Sequence, residues 1–155
     1  MSDSFYFKQL GLEHVADILR IEKASFSHPW GEAAFRQELT ANPLAHYLGC
    51  FHQQELIAFA GMWLVVDEGQ IANVAVAPAW RKQGIGRLLM ERMIAKCIAL
   101  GGVRLCLEVR LSNQPARRLY ANLGFQEVGL RKNYYTQPLE DAILMDLSLP
   151  QLDQA

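Results

Sequence analysis

The sequence has no long apolar run. Leu56 to Val66 is the longest, and it falls well short of the ~20 residues that a membrane-spanning helix needs. Met1-Ser2-Asp3-Ser4 carries neither the charged nor the apolar region of a signal peptide. Cysteine is scarce. Cys50, Cys97 and Cys106 are odd in number, scattered and never in Cys-X-X-Cys spacing, so they read as free, buried thiols of a reducing compartment. His14, His28, His46 and His52 show no zinc-ligand spacing either. Charge of one sign is not in excess: 15 Lys and Arg against 16 Asp and Glu give a formal net charge of −1, without the basic balance of a duplex nucleic-acid binder. Repeats, linkers and low-complexity tracts are absent. The expectation is a single metal-free, cytoplasmic domain over residues 1–155, with a flexible tail in the last few residues and neither membrane nor nucleic acid as a partner.

What is present is an ordinary globular composition, 51% hydrophobic and 20% charged, in a chain long enough to bury a core without staples. Phe5–Lys8 alternates as a short strand, and Leu12–Ala24 carries a helical stripe through Val15, Ile18 and Leu19. Ser27-His28-Pro29-Trp30-Gly31 breaks that helix. A second one, Glu32–Thr40, ends before Asn42-Pro43. Three strands follow: His46–Phe51, Glu55–Val66 and, after a turn at Asp67-Glu68-Gly69, Gln70–Ala77. A helix over Ile85–Leu100 turns Leu88, Leu89, Met93 and Ile94 inward and stops at Gly101-Gly102. Val103–Arg110 is a strand, and Ser112 caps a helix over Asn113–Leu123 that stops at Gly124. Strands at Phe125–Leu130 and Asp141–Leu147 close the chain, joined by a loop from Arg131 to Pro138. Hairpins early and helical crossovers late predict an α+β domain, its sheet antiparallel at first and parallel near the crossovers.

One stretch organises the rest. Asn73-Val74-Ala75-Val76-Ala77 reads as a buried strand through Val74 and Val76, and Pro78 ends its ladder. Arg81-Lys82-Gln83-Gly84-Ile85-Gly86-Arg87 then leads into a helix. Glycines let the backbone approach an oxygen closely, and the first N–H groups of a helix point outward without partners, so this order makes an anion cradle. An ordinary strand-to-helix turn with a solvated basic pair fits the same residues. A dinucleotide fingerprint does not, because Leu89 stands where its third glycine belongs.

Here the chain resembles the GCN5-related N-acetyltransferase (GNAT) superfamily over nearly its whole length. Arg81-Lys82-Gln83-Gly84-Ile85-Gly86 matches that superfamily's pyrophosphate loop, Gln/Arg-X-X-Gly-X-Gly/Ala. Asn73-Val74-Ala75-Val76, Leu107-Glu108-Val109-Arg110, Ser112-Asn113, Leu119-Tyr120, Leu123-Gly124-Phe125, Asn133-Tyr134-Tyr135 and Glu140-Asp141-Ala142 are similar to its ribosomal-protein-alanine N-acetyltransferase branch, the RimI type. The resemblance implies a mixed, mostly antiparallel sheet of about seven strands with four helices and a V-shaped cofactor cleft. It implies acetyl-CoA as donor and the N-terminal alanine of a small-subunit ribosomal protein as acceptor. The diphosphate would lie on the backbone of Lys82, Gln83, Gly84, Ile85, Gly86 and Arg87. The pantetheine would lie along Val74, Ala75 and Val76, where an N–H such as that of Val76 could stabilise an oxyanion.

The resemblance also assigns side chains. Glu108 interrupts an apolar strand and is carried over as the general base; a carboxylate at a solvated strand end, or one paired with Arg110, fits the bare sequence as well. An α-amine near pKa ~7.8 lies about 3.5 units, or roughly 5 kcal/mol, above a glutamate, against about 6 units for lysine, so an N-terminal amine is the easier nucleophile for this base. Tyr120 is carried over as the acid that protonates the leaving thiolate, with core packing as its ordinary role. Asn113 would bond the pantetheine, or serve as a second capping residue. Trp30, Tyr134 and Tyr135 could wall an acceptor groove, and Glu140 and Asp141 could hold a positive N-terminal segment; half-buried aromatics and a solvated charge pair fit equally. The segment Thr136-Gln137-Pro138-Leu139 departs from the family, which has a longer, glycine-containing loop there, and this bears on acceptor specificity. Transfer to a lysine or a small metabolite, and a non-catalytic acyl-CoA-binding regulator, are the alternatives.

Overall fold

The computed structural model describes residues 4–151, so the expected tail lies outside the described residues. In chain order the elements are β1 (Phe5–Gln9), α1 (Val15–Ser25), α2 (Glu32–Thr40), β2 (Ala45–His52), β3 (Glu55–Val65), β4 (Glu68–Val76), α3 (Ile85–Ala99), β5 (Arg104–Arg110), α4 (Gln114–Asn122), β6 (Gln126–Tyr135) and β7 (Glu140–Ser148). Single 3₁₀ turns lie at Leu12–His14 and Pro78–Trp80. The strands form one seven-stranded sheet in the order β1-β2-β3-β4-β5-β7-β6. β1–β2, β2–β3, β5–β7 and β6–β7 pair antiparallel. β4 and β5 pair in parallel, Glu68–Gln70 against Arg104–Cys106. A parallel pair needs a crossover, which α3 supplies, whereas the early strands need only hairpins. Among the described residues no helix is long and apolar enough to cross a membrane.

Backbone proximity divides the chain into two compact units. One gathers the chain up to Trp63 with Ala72–Met93; the other gathers Leu64–Ile71 with the chain from Ile94 onward. In the first, Ile18 and Ile21 of α1 and Phe35 of α2 are fully buried against Leu10, Tyr47, Phe51, Leu56, Phe59, Ala75 and Ala77. Each large apolar side chain so buried contributes about 1.5–3 kcal/mol. α1 begins later than the apolar stripe predicts. Gly11 N donates to His14 Nδ1 at 2.9 Å and His14 N to Gly11 O at 3.0 Å, closing a tight turn before the α-helix opens at Val15. At the end of β4 the inward residues are Ala75 and, just past the strand, Ala77, not Val74 and Val76, which are half-buried. The period of two puts Asn73, Ala75 and Ala77 on one face, and small residues are what that packed face accommodates.

In the second unit, Leu105, Leu107 and Val109 form the buried face of β5, and Arg104, Cys106, Glu108 and Arg110 alternate onto the other. Four expectations are corrected. The turn before β4 lies at Val66-Asp67: Val66 takes φ +60°, while Glu68 starts the strand and buried Gly69 pairs with Leu105. In α3, Leu88 is exposed, because the buried stripe runs through Ile85, Leu89, Met90, Met93 and Cys97. Asn113 rather than Ser112 caps α4, its Oδ1 accepting from Ala116 N at 3.2 Å. Tyr134 and Tyr135 belong to β6 and not to a loop, because β6 pairs with β7 as far as Tyr135↔Glu140. Of the cysteines, Cys50 and Cys97 are buried and Cys106 is half-buried. Burial pushes the thiols of Cys50 and Cys106 up to about 11, so neither is a ready thiolate near neutral pH.

Candidate active site

In the first unit, β4 runs into the turn at Pro78–Trp80 and then into the loop that opens α3. Lys82 and Gly84 take φ +62° and +82°, a backbone of the kind whose N–H groups converge on an anion. A Cβ on Gly84 would meet nothing within 4 Å, so the glycine serves the backbone angle and leaves open space before it. Lys82, Gln83 and Arg87 are exposed, whereas Ile85 is buried and pins the first turn of the helix. Leu88 N donates to Gly84 O at 3.2 Å, and Arg87 lies 3.4 Å from Glu91. The residues of this loop fit a diphosphate: positive φ at Lys82 and Gly84, exposed Lys82 and Arg87, and the positive end of a 15-residue helix.

The cation at the head of the loop is differently placed. Arg81 Nε donates to Val76 O at 2.9 Å, and its Nη2 reaches Ser25 Oγ at 3.0 Å and Ala24 O at 3.4 Å. Trp30 packs on Phe35 with ring centroids 5.4 Å apart, and its backbone N–H donates to Glu22 Oε2 at 3.0 Å. Glu22 Oε1 accepts from Asn73 Nδ2 at 3.2 Å. Burial raises the Glu22 carboxyl above its ordinary value, against the lowering effect of these two bonds.

The second unit holds the carboxylate singled out in the sequence. Glu108 is half-buried, with 20% of its side chain exposed. Its neighbour is Arg131 of β6, at 3.8 Å, and not Arg110. Tyr134 donates a side-chain hydrogen bond to Glu108, and that bond is the first cause of the raised Tyr134 phenol. Arg131 stacks over the Tyr134 ring at 5.2 Å. Tyr135 is pushed up to about 12 by burial first, then by the charge of Glu108, with Tyr134 and Tyr120 adding and Arg110 opposing. Tyr120 is 9% exposed, packs edge-on against Phe125 at 5.8 Å and is pushed up to about 12 by burial. Among the described residues its hydroxyl has no protein partner, and no buried polar side-chain atom lacks one, so the hydroxyl keeps an open side. Burial thus keeps the phenol protonated through the neutral range and makes it a weaker acid than a solvated tyrosine.

Arg110 pairs instead with Glu140 at 3.2 Å. It also donates to Pro138 O at 3.0 Å and Thr136 O at 3.5 Å, and lies over the Tyr135 ring at 4.3 Å. Ser112 N donates to Glu140 Oε2 at 2.6 Å, and the bonds from Ser112 and Arg110 hold that carboxyl below its ordinary value. Asp141 Oδ1 accepts from Asn133 N at 2.8 Å, fixing a bulge in which the register jumps from Arg131↔Ala142 to Tyr135↔Glu140. Asn113 likewise has its side-chain oxygen on a backbone N–H, which leaves its amide N–H₂ to offer. Sequence reasoning assigns no role to Arg131 or Glu22, and it places Arg81 in the basic loop without its partners Val76, Ala24 and Ser25. Each acts through a partner far along the chain, and no spacing rule marks such pairs.

Residues 15–125 match the acetyltransferase (GNAT) family. The chain is a GNAT acetyltransferase. Enzymes of this family draw the acetyl group from acetyl-CoA. This acetyltransferase is 40% identical over 133 residues to the ribosomal protein bS18-alanine N-acetyltransferase of Escherichia coli (strain K12), covering 83% of this chain and 87% of that one. It is 40% identical over 121 residues to the N-alpha-acetyltransferase RimI of Mycobacterium tuberculosis, covering 76% of this chain and 74% of that protein. The crystal structure of the ribosomal-protein-S18-alanine N-acetyltransferase from Escherichia coli superposes on the acetyltransferase with a TM-score of 0.89 at 33% identity, covering 97% of each chain.

Proposed function

We propose that this acetyltransferase is a single catalytic domain that transfers the acetyl group of acetyl-CoA to the N-terminal alanine of ribosomal protein bS18 in the cytoplasm. The acceptor is the one named for relatives that match the chain over most of its length. The observation that carries the mechanism is Glu108: a half-buried carboxylate on β5, oriented by the Tyr134 hydroxyl and with Arg131 alongside. In this reading Glu108 takes the proton from the attacking α-amine, directly or through water. Tyr120 returns a proton to the departing sulfur. Lys82, Gln83, Gly84, Ile85, Gly86 and Arg87 hold the diphosphate, and Asn113 and the backbone of Val74, Ala75 and Val76 hold the pantetheine. Trp30, Tyr134, Tyr135 and Asp141 shape the acceptor side. No covalent acyl-enzyme is required, and the raised thiols of Cys50 and Cys106 suit none.

The test is a peptide panel carrying a free N-terminal alanine, a blocked one or an internal lysine, read by mass spectrometry with wild type and Glu108→Gln. Acetylation of the free alanine alone is expected, with kcat lowered about 10²- to 10⁴-fold in the folded variant. Acetylation of the lysine peptide instead, or a fully active Glu108→Gln, refutes the acceptor or the base respectively.

A further inference from the structure

The last turn of α1 carries a buried acid that the transfer chemistry does not use. Glu22 is 2% exposed and sits in the inward stripe with Val15, Ile18 and Ile21, where an apolar side chain would pack. Its two bonded partners, the Trp30 N–H and the Asn73 amide, are both neutral. A carboxylate so placed is costly, and what it gains is orientation: one oxygen fixes the backbone at Trp30 and the other fixes Asn73, next to Val74. Three residues on, the same helical turn receives Arg81 through Ser25 Oγ and Ala24 O, while Arg81 Nε holds Val76 O. Ser25 Oγ itself donates to Ile21 O at 2.7 Å, so the hydroxyl is fixed before Arg81 reaches it. One turn of helix thus meets the Trp30 segment, the strand ahead of the loop and the loop itself.

We propose that Glu22 and Arg81 are positioning residues that bracket this turn: Glu22 sets the Trp30 segment and Asn73, and Arg81 is a strut of the phosphate loop rather than a ligand of the diphosphate. The part concerning Trp30 rests on its place on the acceptor side, as proposed above.

The test separates binding from turnover. Glu22→Leu raises KM for the alanine peptide about tenfold while kcat and the Kd of CoA stay within about twofold. Glu22→Gln and Asn73→Asp are each impaired. The double variant inverts the amide–carboxylate pair and returns KM to within about threefold of wild type, which a general packing defect would not do. Arg81→Ala weakens CoA binding about tenfold, and Arg81→Lys is equally weak, because a lysine keeps the charge but cannot span Val76 and Ser25 together. Rescue by lysine makes Arg81 a phosphate ligand and overturns the strut. Failure of the double variant to recover overturns the Glu22 pairing. Should wild type acetylate no peptide, the functional reading fails by itself. The bracket is then read from amide hydrogen exchange over residues 26–31, which quickens in Glu22→Leu and Asn73→Asp; unchanged exchange there refutes it.

Discussion

Tyr120→Phe separates a chemical role from a packing role. The ring stays, with its edge-on contact to Phe125 at 5.8 Å, and only the hydroxyl is removed. That hydroxyl has no protein partner among the described residues, so its loss orphans nothing. The stability change is therefore expected within about 0.5 kcal/mol, or less than about 2 °C in Tm for a chain of this size. The rate is different. If the phenol protonates the leaving thiolate, its removal lowers kcat about 10²- to 10⁴-fold, which is about 2.7–5.4 kcal/mol of transition-state stabilisation. Burial pushes Tyr120 up to about 12, so the proton is present throughout the neutral range and Tyr120 contributes no alkaline limb to the rate until near that value. The assay is thiol release from acetyl-CoA in the presence of the alanine peptide, alongside a thermal melt of the same preparation. Full kcat with an unchanged Tm leaves Tyr120 as packing and refutes the acid assignment.

Further outcomes follow from the same geometry. Glu38 is buried and accepts from Tyr47 Oη at 2.9 Å, Trp63 Nε1 at 2.6 Å and Asn42 Nδ2 at 2.7 Å, so Glu38→Ala leaves these donors without their acceptor and costs about 3–5 kcal/mol in chemical denaturation. A loss below about 1 kcal/mol would show that those groups find water or new partners. In an alkaline absorbance titration Tyr120 and Tyr135 ionise near 12 and Tyr47 later still, and stability falls as pH rises from 10 towards 12 because the unfolded phenols ionise first. For Glu22 the folded carboxyl lies above the ordinary 4.5, so its contribution is fully present below that value and is lost as pH rises through the folded one. Glu22→Gln therefore compares more favourably with wild type at neutral pH than in acid, by denaturant titration at each pH; the opposite trend contradicts the burial argument. Gly84→Ala forces φ +82° on a residue with a Cβ and costs about 1 kcal/mol by thermal melt, although nothing stands within 4 Å; an unchanged melt would mean that the loop relaxes freely.

The elements that local chemistry dictates were legible before any coordinates. α2 falls over Glu32–Thr40 as its flanking breakers require, and Gly124 at φ +105° ends the segment after α4 as a glycine stop should. The glycine loop that opens α3 at Ile85 is legible for the same reason, since its residues are contiguous. What pairing decides was hidden. The extent of β6 depends on its register with β7, and that register moves Tyr134 and Tyr135 from loop to strand. Ser112 and Asn113 are both good caps by type. Asn113 takes the role, its Oδ1 accepting from Ala116 N, while the Ser112 side chain and N–H both bond Glu140, a residue 28 positions away. Of the alternatives open for Glu108, pairing with Arg110 drops out for the same reason: Arg110 is near in sequence, but Glu140 and the carbonyls of Thr136 and Pro138 hold it.

The bulge that Asp141 secures in β6 has a consequence for the molecule as a whole. β6 is a border strand, exposed along nearly its entire length, with Val128 and Leu130 in the open. A straight ribbon of that kind would invite a neighbouring chain to zip alongside it. The two register shifts, with Arg131 and Lys132 at the second, break the row of free amides and carbonyls into pieces too short to template such stacking. The irregularity that seats Asn133 on Asp141 thereby also leaves this border a poor template for another chain.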